Sequence, residues 1–150
     1  MGDIGLGSLS MTGSKFVDTN ILLYANDKTA GDKQRKSADL LKALWATHQG
    51  TLSTQVLQEF FYNATRKLTL PLNVPVARGI FQAYGAWLKG PVTDSTIIGA
   101  IDLHTSLGFS FWDSLIIKSA LDNDCDTLYS EDMQHGQLID GRLTVINPFI

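Results

Sequence analysis

Four acidic residues occupy positions where a chain that only had to fold would gain nothing from a charge. Asp18 ends the apolar run 16–17 and comes just before a helix-like segment. Asp113 shares one helical face with four apolar residues, so the periodicity points its carboxylate towards the core. An unpaired buried charge costs several kcal/mol, and no Lys or Arg lies within four residues of Asp113. A divalent metal ion is the natural partner for such a carboxylate.

Two further acidic positions belong to the same candidate site. Glu59 lies on a helical segment whose apolar face is formed by other residues, so a solvated glutamate and a metal ligand both suit its position. Ser130, Glu131 and Asp132 follow the strand-like run 125–130. Local pattern does not separate the two acids of this cluster, because either could face a cleft while the other caps the next turn.

Each candidate also has a purely structural explanation. Asp18 can act as the N-cap of the helix that follows it. Ser110 and Asp113 have the spacing of a capping box, with Asp in place of the usual Glu or Gln. A carboxylate that caps a helix keeps its second oxygen free, so capping and metal binding are compatible. Three other acids are expected to be solvated: Asp122, Asp124 and Asp126.

Composition excludes several other kinds of protein. The three histidines share no zinc-binding spacing, and no nucleotide-binding glycine loop or serine-hydrolase motif is present. The single cysteine rules out an internal disulfide and fits a reducing, cytoplasmic location. The net charge of −3 argues against a polycation that coats nucleic acid, and the longest apolar stretch is far short of a membrane span.

The order of patterns along the chain predicts one α/β domain. Residues 1–14 hold four Gly and three Ser and are predicted to be a disordered leader or an expression remnant, which leaves 15–150 as the domain. Strands separated by long helices favour a three-layer α/β/α fold with a mostly parallel central sheet of four to five strands. The strands are predicted at 15–18, 50–53, 91–93, 125–130 and 143–146, and the helices at 20–26, 32–49, 54–68, 74–89, 95–107 and 111–123.

This architecture suggests how distant acids could meet. Ligands of open α/β sheets bind outside the carboxyl ends of the strands. Asp18 follows one such end and the 130–132 cluster follows another. The two groups are therefore expected to face one crevice.

Four stretches of the chain resemble the motifs of PIN domains, and they occur in the family's order over about residues 15–150. The resemblance implies a metal-dependent ribonuclease, most often the toxin of a VapC-type toxin–antitoxin pair. Such proteins are commonly homodimers that an antitoxin segment inhibits. The stretches are 16–25 (FVDTNILLYA), 53–60 (STQVLQEF), 111–117 (FWDSLII) and 128–136 (LYSEDMQHG), with an Asn-Pro-Phe at 147–149.

The resemblance also implies roles for individual residues. Glu131 departs from the family pattern, because it stands between the serine and the last acid of the set. The implied acidic set is Asp18, Glu59, Asp113 and Asp132, with Asn20 and Ser130 as polar neighbours.

The expected chemistry is hydrolysis of RNA with Mg²⁺, for which Mn²⁺ should substitute since both are hard ions. Asp18 and Asp113 are expected to be primary ligands, with Asp132 completing the coordination directly or through water. Glu59 would orient or deprotonate the attacking water, or help hold a second ion. The candidates for RNA contact are the basic groups 66–67 and 33–36, although both could be solvated.

Two alternatives remain at this stage. A haloacid-dehalogenase-type phosphatase also begins with a strand that ends in Asp, but it needs a second Asp two positions on, where Asn20 stands. A PIN-like protein that only binds RNA or a partner would have lost part of the acidic set.

Overall fold

The computed structural model describes residues 13–150, in which five short strands form one sheet. The strands are β1 (Ser14–Val17), β2 (Gly50–Thr51), β3 (Cys125–Tyr129), β4 (Leu138–Ile139) and β5 (Leu143–Ile146). The helices are α1 (Thr19–Ala25), α2 (Asp32–Thr47), α3 (Thr54–Arg66), α4 (Val74–Tyr84), α5 (Asp94–Leu107) and α6 (Phe111–Asp122), and a 3-10 turn, Gly85–Trp87, follows α4.

The sheet has the order β2-β1-β3-β5-β4. The pairs β1–β2, β1–β3 and β3–β5 are parallel, and only the edge strand β4 runs antiparallel, against β5. With helices on both faces, this confirms the predicted three-layer α/β/α fold and its mostly parallel sheet. The central pair β1–β3 sets Val17 opposite Tyr129, so both strands end at the same edge of the sheet.

Two strand predictions differ from the structure. Residues 91–93 form a loop, because Pro91 has no backbone N–H and Thr93 is the N-cap of α5. The chain before this loop pairs with the segment after β2 through a single parallel bridge, between Leu52 and Leu88. The strand β4 was not predicted, since two residues are too few to show an alternating pattern.

The first strand begins at Ser14, one residue earlier than predicted, and residues 1–12 of the predicted leader lie outside the described part of the chain. The core lies between the sheet and its helices, and Phe16, Leu57, Phe60 and Leu128 are fully buried in it. Among residues 13–150, no helix is both long enough and apolar enough to cross a lipid bilayer.

One buried cation holds the sheet on the side opposite the carboxyl strand ends. The Lys15 side chain on β1 is only 2% exposed, and its Nζ lies 2.7 Å from Oδ1 of Asp126 on β3. Asp126 is therefore not merely solvated, as the sequence suggested. A lysine buried on a strand needs a counter-ion, and the parallel pairing of β1 with β3 supplies one.

We expect Asp126→Asn to lower the free energy of unfolding by about 1–3 kcal/mol, because it leaves the Lys15 ammonium buried without a counter-ion. The measurement is urea unfolding at neutral pH. Asp124→Asn is the matched control, since Asp124 is 91% exposed and its pair with Arg142 at 3.4 Å should contribute less than about 1 kcal/mol. Equal effects of the two substitutions would contradict the role given to Asp126.

Candidate active site

Asp18 is buried where β1 passes into α1, and its exposure is only 5%. It is the N-cap of α1, and Oδ1 accepts a hydrogen bond of 2.7 Å from the backbone N–H of Thr19. Oδ2 accepts a second bond of 2.8 Å from the Ser130 hydroxyl. The capping explanation is thus correct, and the carboxylate is also tied to the end of β3.

The Asp18 carboxyl is poorly suited to carrying a charge by itself. Burial raises its pKa to about 7 from an ordinary value of 3.8, and the hydrogen bonds from Ser130 and Thr19 only partly oppose this shift. The negative charges of Asp132 and Asp113 raise the pKa further. A nearby cation would reverse these effects by stabilising the ionised form.

Ser130 joins the two strand ends. It is fully buried, and its hydroxyl donates to Asp18 while accepting a 3.2 Å bond from the backbone N–H of Asp132. Its own N–H donates to the carbonyl of Ile146 on β5. This hydroxyl therefore fixes the start of the loop that carries Asp132.

Asp132 lies at the mouth of the cleft, where Asn20 holds it. The Asn20 Nδ2 donates a 3.0 Å bond to Asp132 Oδ2. Burial raises the Asp132 pKa, as do the charges of Asp113, Glu131 and Glu59. Asn20 thus orients one of the acids by donating a hydrogen bond to it. A phosphoaspartyl phosphatase would need an Asp at this position to act as acid and base.

Glu131 is directed elsewhere. Its carboxylate accepts hydrogen bonds from the Tyr24 hydroxyl and, at 2.8 Å, from Lys33 Nζ. The same ammonium lies 5.0 Å from the ring centre of Tyr24 and 5.3 Å from that of Phe149. The cluster of Tyr24, Lys33, Glu131 and Phe149 anchors the loop after β3 to α1 and α2. The sequence pattern did not distinguish Glu131 from Asp132. In the structure Asp132 lines the cleft and Glu131 does not.

Glu59 is held by two donors on one wall of the cleft. The Thr19 hydroxyl donates a 2.6 Å bond to Oε1, and Gln55, one helical turn earlier on α3, donates a 3.2 Å bond to Oε2. Gln55 Nε2 also reaches the carbonyl of Trp112 at 3.3 Å, which connects α3 to the start of α6. These contacts distinguish Glu59 from a solvated helix glutamate.

Asp113 lies in the first turn of α6, where its backbone N–H donates to the Ser110 hydroxyl at 3.1 Å. It is half-buried and lines the cleft, so the face predicted to point into the core opens here into a crevice. Burial raises its pKa and so does the charge of Glu59, while the hydrogen bond from Ser110 lowers it.

These elements enclose an acidic cleft of about 240 Å³. It contains carboxylates from four separate parts of the chain, and no Lys or Arg is among its lining residues. The expected convergence of residues 18 and 113 on one crevice is present. The lining is Asp18, Thr19, Asn20, Gln55, Glu59, Asn63, Trp112, Asp113, Ile116 and Asp132.

The donor set of the acidic cleft fits a hydrated magnesium ion. Within residues 13–150, no three acidic, histidine or cysteine side chains are already gathered closely enough to hold a bare ion. Mg²⁺ retains several waters, so carboxylates spread around a cleft suit it better than they would suit a fully dehydrated ion. Gln55 Oε1, buried with no hydrogen-bond partner in the described residues, is an acceptor that such a water could satisfy.

Sequence reasoning missed five residues of the cleft lining: Thr19, Gln55, Asn63, Trp112 and Ile116, the last of which was assigned to the core. The signals available were weak. Gln55 and Asn63 are four residues from Glu59 on either side, and Thr19 and Trp112 are the immediate neighbours of Asp18 and Asp113. Spacing of this kind is common in any helix, so it becomes informative only once the cleft is known.

The candidate RNA-contacting cations fall into two groups. On α2, Lys33 pairs with Glu131, while Arg35 and Lys36 pair with Asp32 within the same helix. At the end of α3, Arg66 is exposed, and its guanidinium lies 4.8 Å from the centre of the Tyr62 ring. Of the two groups, the one at the end of α3 is on the same helix as Glu59. Asn63 and Arg66 follow Glu59 at intervals of four and three residues, which places them on the same helical face.

A family model settles the relationship of this chain to known proteins. The model of the PIN domain matches residues 15–138. The chain belongs to the PIN domain family. This confirms the resemblance seen in the four sequence motifs.

Two solved structures share the fold of this chain. The crystal structure of Mycobacterium tuberculosis VapC20, a toxin that cleaves the sarcin-ricin loop, matches with a TM-score of 0.57 and 20% identity. The match covers 78% of this chain and 88% of that one. VapBC2 from Rickettsia felis, solved bound to a DNA fragment from its promoter, matches with a TM-score of 0.57 and 18% identity, over 89% and 98% of the chains. No curated protein matches this chain.

We expect Asp18→Asn to stabilise the metal-free protein at pH 8 but not below pH 4. The raised pKa means that the native state holds this proton more tightly than the unfolded chain does, so stability falls as the pH rises from 3.8 to about 7. An asparagine has no charge to bury, and the full difference could reach roughly 4 kcal/mol. The measurement is unfolding in EDTA at several pH values, with the exposed Asp39→Asn as control. Parallel pH profiles for Asp18→Asn and wild type would refute the burial argument.

We also expect Glu131→Ala to loosen the loop that carries Asp132, because it removes the acceptor shared by Tyr24 and Lys33. Hydrogen exchange at the amides of residues 130–136 should become at least about tenfold faster, which corresponds to about 1.4 kcal/mol of lost local protection. Asp140→Asn is the control, since that exposed carboxylate pairs with Arg142 at 3.4 Å and asparagine tolerates the positive φ of 54° at this position. Unchanged exchange in Glu131→Ala would mean that other contacts hold the loop.

Proposed function

We propose that this protein is a metal-dependent endoribonuclease. The observation that carries the proposal is the acidic cleft, in which Asp18, Glu59, Asp113 and Asp132 meet within a PIN-domain fold and, among residues 13–150, no basic side chain lines the cleft beside them. Such a cluster repels a phosphodiester unless a cation lies between them. A binding site for Mg²⁺, with Mn²⁺ as substitute, reconciles an acidic cleft with an anionic substrate.

Asp18, Asp113 and Asp132 would hold the ion. When bound, the metal would polarise the scissile phosphate and lower the pKa of a bound water. The protein prepares these ligands with its own hydrogen bonds. Ser130 fixes one oxygen of Asp18, and Asn20 fixes one oxygen of Asp132, so each carboxylate is oriented before any ligand arrives.

Glu59 is placed to act on the nucleophile. Thr19 and Gln55 donate to its two oxygens, which keeps the side chain extended into the cleft. A carboxylate so held can orient or deprotonate an attacking water. No histidine lines the cleft to activate the ribose 2′-hydroxyl. Attack by water would leave a 5′-phosphate and a 3′-hydroxyl.

The biological setting we propose is that of a toxin in a type II toxin–antitoxin pair. VapC20 is a toxin, VapBC2 was solved bound to a DNA fragment from its promoter, and both share the fold of this chain. The partners would be an RNA substrate, a cognate antitoxin protein and a second copy of the chain in a homodimer. We place the protein in the cytoplasm, where its RNA substrate would be found, and propose no membrane partner.

The proposal predicts RNA cleavage that requires Mg²⁺ or Mn²⁺ and stops in EDTA. Asp18→Asn and Asp113→Asn should abolish cleavage because each removes a ligand, and Glu59→Gln should slow it by about 10²–10⁴-fold because it removes the base. The measurement is cleavage of labelled RNA, with end-group analysis for 5′-phosphate. Asp39→Asn, on the exposed face of α2, is the control and should cleave at the wild-type rate.

Three results would overturn the proposal. Metal-independent cleavage that survives both aspartate substitutions would exclude a metal mechanism. A folded protein that cleaves no RNA and gives no heat signal on titration with Mn²⁺ would indicate instead a PIN-like protein that only binds RNA or a partner. Hydrolysis of small phosphate esters in place of RNA would favour the phosphatase, although Asn20 donates to Asp132 and no lysine lines the cleft.

A further inference from the structure

Trp112 is a large, mostly exposed aromatic residue that lines the acidic cleft. It is 61% exposed, although it lies directly beside Asp113 and lines the cleft. Two contacts hold it in place. Phe111 packs edge-on against its ring at 5.0 Å and 75°, and Gln55 donates to its carbonyl. The structure thus presents a supported indole ring next to the proposed reaction centre.

The chemistry of the cleft indicates what this ring could bind. The lining has no Lys or Arg, so attraction to phosphates contributes little affinity beyond that of a bound metal. An exposed indole binds flat π-systems, and stacking of a nucleobase on an aromatic side chain is a strong, sequence-tolerant contact. Bases inside a duplex already stack on one another and cannot offer a free face.

We propose that Trp112 is a stacking platform for an unpaired base next to the scissile phosphodiester. This inference rests on the proposed ribonuclease function and assigns to Trp112 a role in binding its substrate. Stacking would contribute to substrate binding, while the carboxylates carry the chemistry. Trp112 is accordingly a specificity-determining residue.

Helix α3, which forms another wall of the cleft, carries side chains that could contact the same RNA strand. Asn63 lines the cleft one turn after Glu59. An amide can both donate to and accept from a base edge. Arg66 follows on the next turn, stacked on Tyr62 and exposed, where it can meet a phosphate. A strand that lies along α3 would find an amide and then a cation beyond the carboxylates.

The experiment compares three substrates that share one sequence: a single-stranded oligoribonucleotide, a hairpin with that sequence in its loop, and a perfect duplex. Wild type should cleave the first two and leave the duplex intact. Trp112→Ala should raise KM by about 5- to 150-fold, which is the effect of losing one base–aromatic stack, and should leave kcat within about threefold. Trp112→Phe should restore most of the affinity, and Trp112→Leu should not.

Ile98→Ala is the matched control, because Ile98 on α5 is 58% exposed and does not line the cleft. Its KM should equal that of wild type. An unchanged KM in Trp112→Ala, or cleavage of the duplex as fast as the single strand, would overturn the proposal. A lowered oligomeric mass of Trp112→Ala by sedimentation, with KM unaltered, would overturn it as well and assign the ring to a protein interface.

A binding measurement separates this inference from the function on which it rests. In the Glu59→Gln background with Mg²⁺ present, single-stranded RNA should quench the tryptophan fluorescence, and Trp112→Phe should remove that quenching. If RNA quenches the fluorescence of Trp112 but the wild-type protein cleaves no RNA, the stacking role is supported and the ribonuclease function is wrong. If the wild-type protein cleaves RNA but RNA does not quench Trp112, only the stacking role is wrong.

Discussion

The hydrogen bond between Ser130 and Asp18 is the contact on which the site depends. It joins residues separated by 112 positions and is made where β1 and β3 end side by side. Since both groups are buried, water cannot replace either partner if the bond breaks. The same hydroxyl accepts from the backbone of Asp132, so one serine sets the position of two acids. Parallel pairing of the central strands is what makes this short connection possible.

Around this contact, each helix that contributes to the cleft also makes a bond across it. Thr19 at the start of α1 donates to Glu59 of α3, and Gln55 of α3 donates to the backbone of α6. The wall residues therefore position one another. The arrangement brings carboxylates together at a cost, because burial and mutual repulsion raise the pKa of three of them: Asp18, Asp113 and Asp132. Carboxylates with raised pKa values in a cleft are typical of functional sites, where the need for the charged groups outweighs the stability lost by burying them.

Much of the fold could be read from the sequence, because helix periods, Pro and Gly boundaries and short apolar runs are local signals. Five of the six helices begin and end within two residues of their predicted ranges, whereas α4 ends at Tyr84, five residues before its predicted end. Contacts between distant segments were not readable. The Lys15–Asp126 pair joins residues 111 positions apart, and the choice between Glu131 and Asp132 depends on Tyr24 and Lys33 from another part of the chain. Adjacent side chains on a loop carry no period that could sort them.

Lys33 pairs with the sequence neighbour of Asp132 and does not line the cleft. Lys33 is taken by Glu131, and its ammonium is further held over the Tyr24 and Phe149 rings. Glu131 thus does two things: it anchors the loop that presents Asp132, and it pairs with a lysine that lies outside the cleft lining. This ion pair lies beside the cleft and leaves the acids inside it available for an external cation.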